Sequence, residues 1–288
     1  MNNSFKTLLY YKYVDIDDPE QEKQNQQLLC KSLHLKGRII LGKEGINGTV
    51  EGLEKDTQKY IEEVHKIPGF EDIWFKVSDS NGEGFPRLSI KVRDEIVTTG
   101  IKGLDPRIST GKYLTAGEMH EWIEKGKKFY IVDMRNDYEH KSGYFKDSIL
   151  VPIHHFRELP SVLPVLESLK GKTIVTVCTG GVRCEKASGF LIQNGFEDVY
   201  QLYGGIVTYM EKYPNQDFLG KLYVFDGRVT MGFNTDSQEH VVVGKCEKCG
   251  KSSDNYVNCS DLSCHLHFIC CKECKAEDKG QPMCNNHN

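Results

Sequence analysis

An apolar run that leads into a glycine turn and then a helix-like segment is the feature that most constrains the fold. In TIVTVCTGGVRCEKASGFL, the run ends at Cys178 and a mixed polar and apolar segment resumes after Arg183. Short apolar runs bounded by turn residues are typical of buried strands. In α/β sheets, ligands bind where strands end and helices begin. The segment therefore predicts an α/β domain with a thiol at its ligand-binding edge. The turn consists of Thr179, Gly180, Gly181 and Val182.

The same alternation extends over residues 113–215. Four short apolar runs, FYIVDM, SILVPI, TIVTVC and DVYQLY, are separated by helix-like segments. Thr115 and Glu118 have the spacing of a capping box at the start of a helix. Alternating apolar runs and helices predict a parallel sheet covered on both faces. Residues 101–112, with glycines, a proline and no clear period, form the predicted linker.

Residues 1–100 have a different order of elements. The β-like segments KTLLYYKYV, GRIILGKEGINGTVEG, IWFKVS and RLSIKV alternate with two helical segments, DDPEQEKQNQQLLCKSLHL and EKDTQKYIEEVHKI. The order β-α-β-β-α-β predicts an α+β, ferredoxin-like (acylphosphatase-like) domain.

Composition limits where the chain works and what it binds. The 288 residues contain 11 cysteines, have a net charge of −4 and show neither an export signal nor a long apolar stretch. A cytoplasmic location and no membrane contact are expected. In that reducing environment, cysteines are first interpreted as metal ligands or reactive thiols. The negative charge means that an RNA partner would need a local basic patch.

The turn after Cys178 favours a thiolate. Consecutive N–H groups of a glycine turn can form an anion-binding nest, and the start of a helix near Arg183 adds a positive end. A thiolate is the nucleophilic form of cysteine. The alternative, a merely packed cysteine, explains neither the glycines nor Arg183. Cys184 follows directly and either resolves an oxidised Cys178 or is a small packing residue.

Residues 216–288 form a cysteine-rich tail that has few aliphatic side chains. The pattern Cys-x2-Cys-x9-Cys occurs twice, with two further cysteines between the copies. Eight thiolates would fill two four-cysteine zinc sites, so up to two structural zinc ions are predicted, with His265 and His267 as alternative ligands. Disulfides are the less favoured reading, and a catalytic metal is not expected. The predicted ligands are Cys246, Cys249, Cys259, Cys264, Cys270, Cys271, Cys274 and Cys284.

CTGGVR resembles the active-site loop of the rhodanese family, with the nucleophile first and the arginine last. YIVDMRNDYEH resembles the segment of that family which supports the loop, and it supplies Asp133, Arg135 and Glu139. Tyrosine-phosphatase-like loops have one more residue between cysteine and arginine. The shorter loop fits a sulfur-sized group better than a phosphate.

A wider resemblance covers nearly the whole chain. GKEGINGT, RDEIVTTG, CTGGVRCEK and the cysteine-rich tail together are similar to the bacterial tRNA uridine hydroxylase family. The resemblance implies that the wobble uridine of tRNA is converted to 5-hydroxyuridine, with molecular oxygen as co-substrate and Cys178 as the required cysteine. No nucleotide cofactor is expected. The alternatives are a rhodanese-type sulfurtransferase with a Cys178 persulfide and a catalytically idle binding or sensor module.

Two basic clusters in the first domain are candidate RNA contacts. Side chains alternate along a strand, so those at positions 87, 91 and 93 would share one face of the sheet. A basic face can meet phosphates, although such residues are commonly only a solvated surface. The candidates are Lys36, Arg38, Lys43, Arg87, Lys91 and Arg93.

Overall fold

The computed structural model describes residues 4–264 and 266–285. The first domain has a five-stranded sheet in the order β4-β1-β3-β2-β5. Strand β3 lies antiparallel between β1 and β2, and β4 lies antiparallel on the other side of β1. This arrangement confirms the ferredoxin-like prediction. The elements are β1 (Phe5–Tyr13), α1 (Pro19–Ser32), β2 (Lys36–Gly42), β3 (Gly45–Leu53), α2 (Glu54–Val64), β4 (Lys76–Ser80) and β5 (Leu88–Val92).

The two faces of this sheet have different partners. One face packs against the helices through a core that includes Leu8, Tyr10 and Ile39. The fifth strand, β5, pairs in parallel with β2 and widens the sheet beyond the four-stranded unit. Because neighbouring side chains alternate, Tyr11 and Arg38 project from the opposite face, which is turned toward the second domain.

The second domain has a five-stranded parallel sheet in the order β6-β11-β10-β7-β9. Separate hydrophobic cores cover its two faces, which confirms the predicted architecture. The elements are β6 (Lys112–Leu114), α3 (Ala116–Glu124), β7 (Tyr130–Asp133), α4 (Asp137–His140), β8 (Gly143–Phe145), β9 (Ile149–Leu150), α5 (Leu163–Leu166), β10 (Thr173–Val177), α6 (Val182–Gln193), β11 (Asp198–Leu202) and α7 (Gly205–Lys212).

Strand β6 was not expected from the sequence. It begins at Lys112, the last residue of the predicted linker, and its three residues are too few for a recognisable period. The preceding segment is held in place because the Gly111 N–H donates to Ser188 Oγ at 2.8 Å. The capping box predicted at Thr115 and Glu118 is present and starts α3.

The tail folds back onto the second domain. It contains β12 (Phe218–Gly220), β13 (Leu222–Tyr223), β14 (Thr230–Met231), β15 (Tyr256–Asn258), β16 (His267–Ile269) and α8 (Lys272–Glu277). Strand β12 pairs with β8, and the rings of Tyr223 and Tyr256 pack beside Tyr138 on α4. Across the described residues, no helix has the length and apolar character needed to cross a lipid bilayer.

Candidate active site

Cys178 lies directly after β10 and directly before the turn that starts α6. Its side chain is completely buried, and its Sγ accepts a hydrogen bond from the Gly181 N–H at 3.3 Å. The carbonyl oxygens of the turn point the other way: Cys178 O accepts from the Ile206 N–H at 2.9 Å and Thr179 O from the Val207 N–H at 3.1 Å. The start of α7 therefore fixes the turn in the orientation that directs an N–H group at the sulfur.

The surroundings of Cys178 stabilise its thiolate. Burial alone would raise the pKa of this thiol. The side chain of Cys184, the charge of Arg183 and the N–H groups of Cys184 and Gly181 outweigh burial and lower the pKa of Cys178 to about 6. At neutral pH the sulfur is therefore predominantly a thiolate, which is the nucleophilic form.

The two glycines of the turn have different roles. Gly181 has φ of +101°, a conformation that other residues resist. Gly180 has an ordinary φ, but a Cβ at this position would lie 2.8 Å from Leu9 Cδ2 of the first domain. Gly180 therefore allows β1 to approach the cysteine loop closely, a reason that the sequence did not reveal.

Arg183 is held beside the loop by Glu139. Its two terminal nitrogens pair with both carboxylate oxygens of Glu139, one of them at 2.8 Å, and Nη2 also lies 3.2 Å from Thr179 Oγ1. Burial would lower the pKa of Arg183, but the carboxylate of Glu139 raises it, so the guanidinium stays charged. This charge acts on Cys178 through space, while its hydrogen bonds are used to anchor the loop.

Asp133 and Arg135 form a second buried pair below the loop. Arg135 Nε lies 2.9 Å from Asp133 Oδ1, and Arg135 Nη2 lies 2.6 Å from Asp133 Oδ2 and 2.7 Å from the Gly143 carbonyl. Both side chains are completely buried. The pair ties the end of β7 to β8 and so supports the short helix α4, which carries Glu139.

Cys184 is a buried thiol in the first turn of α6. Burial raises the pKa of Cys184 well above its usual value, and the neighbouring Cys178 thiolate raises it further. Cys184 is therefore a protonated thiol next to the Cys178 thiolate.

An ion triad around a buried lysine joins the first domain to α6. Lys186 has no exposed side-chain surface, and its Nζ lies 2.9 Å from Glu44 Oε1, 2.8 Å from Glu95 Oε1 and 3.1 Å from the Val97 carbonyl. Glu44 lies in GKEGINGT, Glu95 in RDEIVTTG and Lys186 in CTGGVRCEK. The three motifs that carry the wider resemblance thus meet in one ion-pair network.

A second network surrounds Glu185. Its carboxylate accepts hydrogen bonds from the hydroxyls of Tyr11 at 3.0 Å and Tyr113 at 3.1 Å, and from Gln201 Nε2 at 3.0 Å. The Tyr13 hydroxyl donates to the Val182 carbonyl at 3.2 Å. None of these contacts was predicted, because residues of β1 and α6 are far apart in the chain. In the sequence, the run Cys184-Glu185-Lys186 directly after the loop was the feature that could have indicated this network.

The cysteine loop and the first domain line an open cavity of about 320 Å³. Cys178, Gly180 and Arg183 contribute from the loop side, and Tyr11 and Arg38 from the sheet side. A cavity of this size is sufficient for a small organic group. The active-site wall is therefore built by both domains.

The predicted basic residues lie at the β2–β5 edge of the first sheet. All six are exposed, and within the described part of the chain none forms an ion pair with a carboxylate. Arg38 is opposite Ser89 in the parallel register and lines the Cys178 cavity. Lys43 lies in the turn between β2 and β3.

The tail cysteines form two groups that could hold metal ions. Sγ atoms of one group come from Cys246, Cys249, Cys271 and Cys274, and each lies within 4.8 Å of the others. Tetrahedral zinc with Zn–S bonds of about 2.3 Å requires sulfur atoms about 3.8 Å apart. The observed Cys249–Cys271 separation is 3.6 Å, which fits such an ion.

The second group comprises Cys259, Cys264 and Cys284, with 3.5 Å between the last two sulfurs. His265 lies outside the described residues. Cys270 belongs to neither group: it is completely buried, and its thiol donates to the Cys271 carbonyl at 3.6 Å. Among the described residues, the two groups therefore bring together seven of the eight predicted ligands. The two copies of the repeated pattern do not each form one site. Instead, the first group combines the Cys-x2-Cys pairs of both copies, which the spacing did not indicate.

The fold and the cysteine loop define a rhodanese-domain protein. The rhodanese-like domain family matches residues 115–212. A UPF0176 acylphosphatase-like domain matches residues 5–96, and a rhodanase C-terminal family matches residues 219–287.

Whole-chain relatives specify the family further. The chain is 46% identical to the tRNA uridine(34) hydroxylase of Bacillus licheniformis, with 95% of this chain and 85% of the relative aligned. It is 41% identical to the tRNA uridine(34) hydroxylase of Cytophaga hutchinsonii, covering 96% and 88% of the two chains. The protein of that name from Staphylococcus haemolyticus is 42% identical, covering 98% and 88%. The chain belongs to the tRNA uridine(34) hydroxylase family.

Proposed function

We propose that this protein converts the wobble uridine of tRNA to 5-hydroxyuridine, with Cys178 as the nucleophile and molecular oxygen as co-substrate. The main support is geometric: Cys178 accepts a hydrogen bond from the Gly181 N–H at 3.3 Å and lines, with Arg183, a cavity shared by two domains. These surroundings also lower the pKa of Cys178 to about 6. The names of the whole-chain relatives supply the substrate and the reaction.

The first step activates the base. The Cys178 thiolate adds to C6 of the uracil, so a C6–S bond forms and the C5=C6 electron pair moves to give an enolate. Hydrogen-bond donors around the loop stabilise the negative charge on the base. C5 then gives its electron pair to molecular oxygen, and the peroxide formed takes up one proton.

The second step releases the product and requires two electrons. Loss of the C5 proton restores the C5=C6 bond and expels the Cys178 thiolate. This thiolate attacks the hydroperoxide, which leaves 5-hydroxyuridine and a sulfenic acid on Cys178. The thiol of Cys184 then attacks that sulfur, releasing water and forming a disulfide. One oxygen atom goes to the base and the other to water, and an external thiol restores the two cysteines.

The β2–β5 edge of the first domain is the proposed path for the RNA backbone. Its six basic side chains lack carboxylate partners among the described residues and are free to neutralise phosphates. Arg38 connects this edge to the Cys178 cavity, because it lines the cavity itself. The phosphate contacts and the reacting base would therefore lie on one continuous surface.

We assign the metal of the tail as zinc with a structural role. Both ligand groups consist of cysteines, whose thiolates bind zinc well, and the four cysteines of the first group would leave no open position for a substrate. The metal-stabilised tail would support the site indirectly. Its residues Tyr223 and Tyr256 pack beside Tyr138, and the next residue, Glu139, anchors Arg183.

The direct test is nucleoside mass spectrometry of tRNA incubated with the protein, an external thiol and ¹⁸O₂. Wild type should produce 5-hydroxyuridine with one ¹⁸O atom, and Cys178→Ser should reduce the yield by about 10³-fold or more. Cys30→Ser is the matched control, because Cys30 is equally buried but packs in the core of the first domain. It should retain activity.

The same preparations distinguish the sulfurtransferase alternative. If neither protein forms 5-hydroxyuridine while wild type alone transfers sulfur from thiosulfate to cyanide, the hydroxylase proposal fails. In that case Cys178 would act as a persulfide carrier.

A further inference from the structure

A second cavity of about 290 Å³ lies at the same domain interface. Tyr11 and Trp74 contribute from the first domain, and Tyr113 and Tyr203 from the second. We propose that this cavity, here called the aromatic cleft, binds a nucleotide adjacent to the target uridine in a single-stranded RNA loop. The inference rests on the proposed function and adds a second RNA-binding site to it.

Aromatic rings from both domains form a partly exposed surface in the cleft. Trp74 and Tyr203 stack with their centroids 5.0 Å apart, and Tyr113 meets Tyr203 edge-on at 5.4 Å. Trp74 is 39% exposed, Tyr203 is 42% exposed and Tyr113 is 54% exposed. Rings that served only to join the domains would be buried. Exposed ring surface beside a cavity is the feature on which proteins stack single-stranded bases.

Beside these rings lies Lys76, which has no carboxylate partner among the residues that the structure describes. Lys76 Nζ is 4.6 Å from the Trp74 ring centroid and 5.2 Å from that of Tyr11. Burial lowers the pKa of Lys76 to about 8, which the negative charges of Cys178 and Glu185 only partly oppose. The other cations of the cleft are already paired, Lys12 with Asp72 and Arg107 with Asp105. Lys76 is therefore the cation available to a phosphate.

Tyr11 connects the aromatic cleft to the active site. Its side chain lines both cavities, and its hydroxyl is fixed on Glu185 at 3.0 Å. A ligand that occupies both cavities must pass this ring. A polynucleotide, with one base at Cys178 and its neighbour at Trp74, meets that requirement, whereas a free nucleotide fills only one cavity.

The test uses the fluorescence of Trp74. The chain has two tryptophans, so Trp122→Phe leaves Trp74 as the only one. This variant is titrated with an anticodon stem-loop RNA that carries a wobble uridine, and separately with free AMP and UMP. The stem-loop should quench Trp74 emission, and the midpoint of quenching should coincide with the midpoint of RNA binding. At equal concentration, free AMP and UMP should not quench it. Bound RNA without quenching, or equal quenching by free AMP, would overturn the proposal.

A pair of variants measures the contribution of stacking. Tyr203→Leu should weaken stem-loop binding by about 5- to 150-fold, the range expected for one stacked base, and Tyr203→Phe should restore it. Tyr130→Leu is the matched control, since Tyr130 is 41% exposed and lies outside both cavities. Equal affinities of the two leucine variants would overturn the aromatic cleft.

Formation of 5-hydroxyuridine is measured on the same samples. Quenching without product would retain the aromatic cleft and reject the proposed reaction. Product without quenching would retain the reaction and reject the cleft.

Discussion

The loop around Cys178 and the cysteine-rich tail use the same side chain in opposite ways. In the loop, Cys178 is stabilised as a thiolate by a backbone N–H group, a nearby thiol and the charge of Arg183. In the tail, seven cysteines gather in two groups, with sulfur atoms at the spacing of metal ligands. The comparison shows that the role of a cysteine depends on which groups its sulfur faces.

The two regions also differ in what holds them together. The loop lies between two extensive apolar cores and is tied to the first domain by the ion triad around Lys186. The tail cluster consists mainly of the cysteines themselves, with Val257 and Phe268 as its buried apolar side chains. Stability of the tail should therefore depend on metal, and stability of the loop on side-chain contacts.

The largest expected effect is the loss of metal from the tail. Cys249→Ser removes one of four ligands in a site whose zinc-binding free energy can reach about 10–16 kcal/mol. We expect the variant to lose one metal ion by elemental analysis and to expose the tail to proteolysis. Cys270→Ser is the control and should keep its metal, because Cys270 lies in neither group. Equal metal loss in both variants would contradict the assignment.

The ion triad around Lys186 is the corresponding support of the loop. Lys186→Met leaves the partly buried carboxylates of Glu44 and Glu95 without their cation, so we expect a loss of about 1–3 kcal/mol in unfolding free energy. Adding Glu44→Gln and Glu95→Gln to this variant should recover part of the lost stability. Denaturant unfolding measures the effect, and Lys170→Met, at an exposed pair with Glu167, is the control. A Lys186→Met protein as stable as this control would show that the triad does not hold the domains.

The pH dependence of alkylation separates the loop from an ordinary buried cysteine. Because the pKa of Cys178 is lowered to about 6, its reactivity should be constant above that pH and fall about tenfold per unit below it. Burial raises the pKa of Cys30 to about 12, so that thiol should stay unmodified at neutral pH. Peptide mass spectrometry after iodoacetamide treatment measures both. If the midpoint of the pH dependence of Cys178 alkylation lay near pH 9, Cys178 would not be a thiolate at neutral pH.

The smallest effect is expected at the RNA-binding edge. Arg38→Gln should weaken tRNA binding and reduce the dependence of log Kd on log salt concentration by about one phosphate contact. Lys55→Gln, in α2 on the other side of the sheet, should change neither value. Filter binding over a range of salt concentrations tests this, and identical slopes for the two variants would remove Arg38 from the interface.

Features that depend on residues adjacent in the chain could be predicted from the sequence, whereas contacts between distant residues could not. The fold of both domains follows from short apolar runs and their order, and Cys178 stands out because strand, glycines and arginine are adjacent in the chain. Lys186 and Glu44 were not predicted as partners, since they are 142 positions apart. Cys270 was included among the ligands because spacing counts a cysteine without showing where its thiol points.

Trapping the reacting base on Cys178 would show whether this cysteine is the nucleophile. Fluorine at C5 prevents the loss of a C5 proton that would expel the thiolate. Incubation with 5-fluorouridine-containing tRNA, followed by nuclease and protease digestion, should yield a peptide in which Cys178 carries the modified nucleotide. No adduct from enzyme that is actively forming 5-hydroxyuridine, or an adduct on a different cysteine, would contradict the role of Cys178 as the nucleophile.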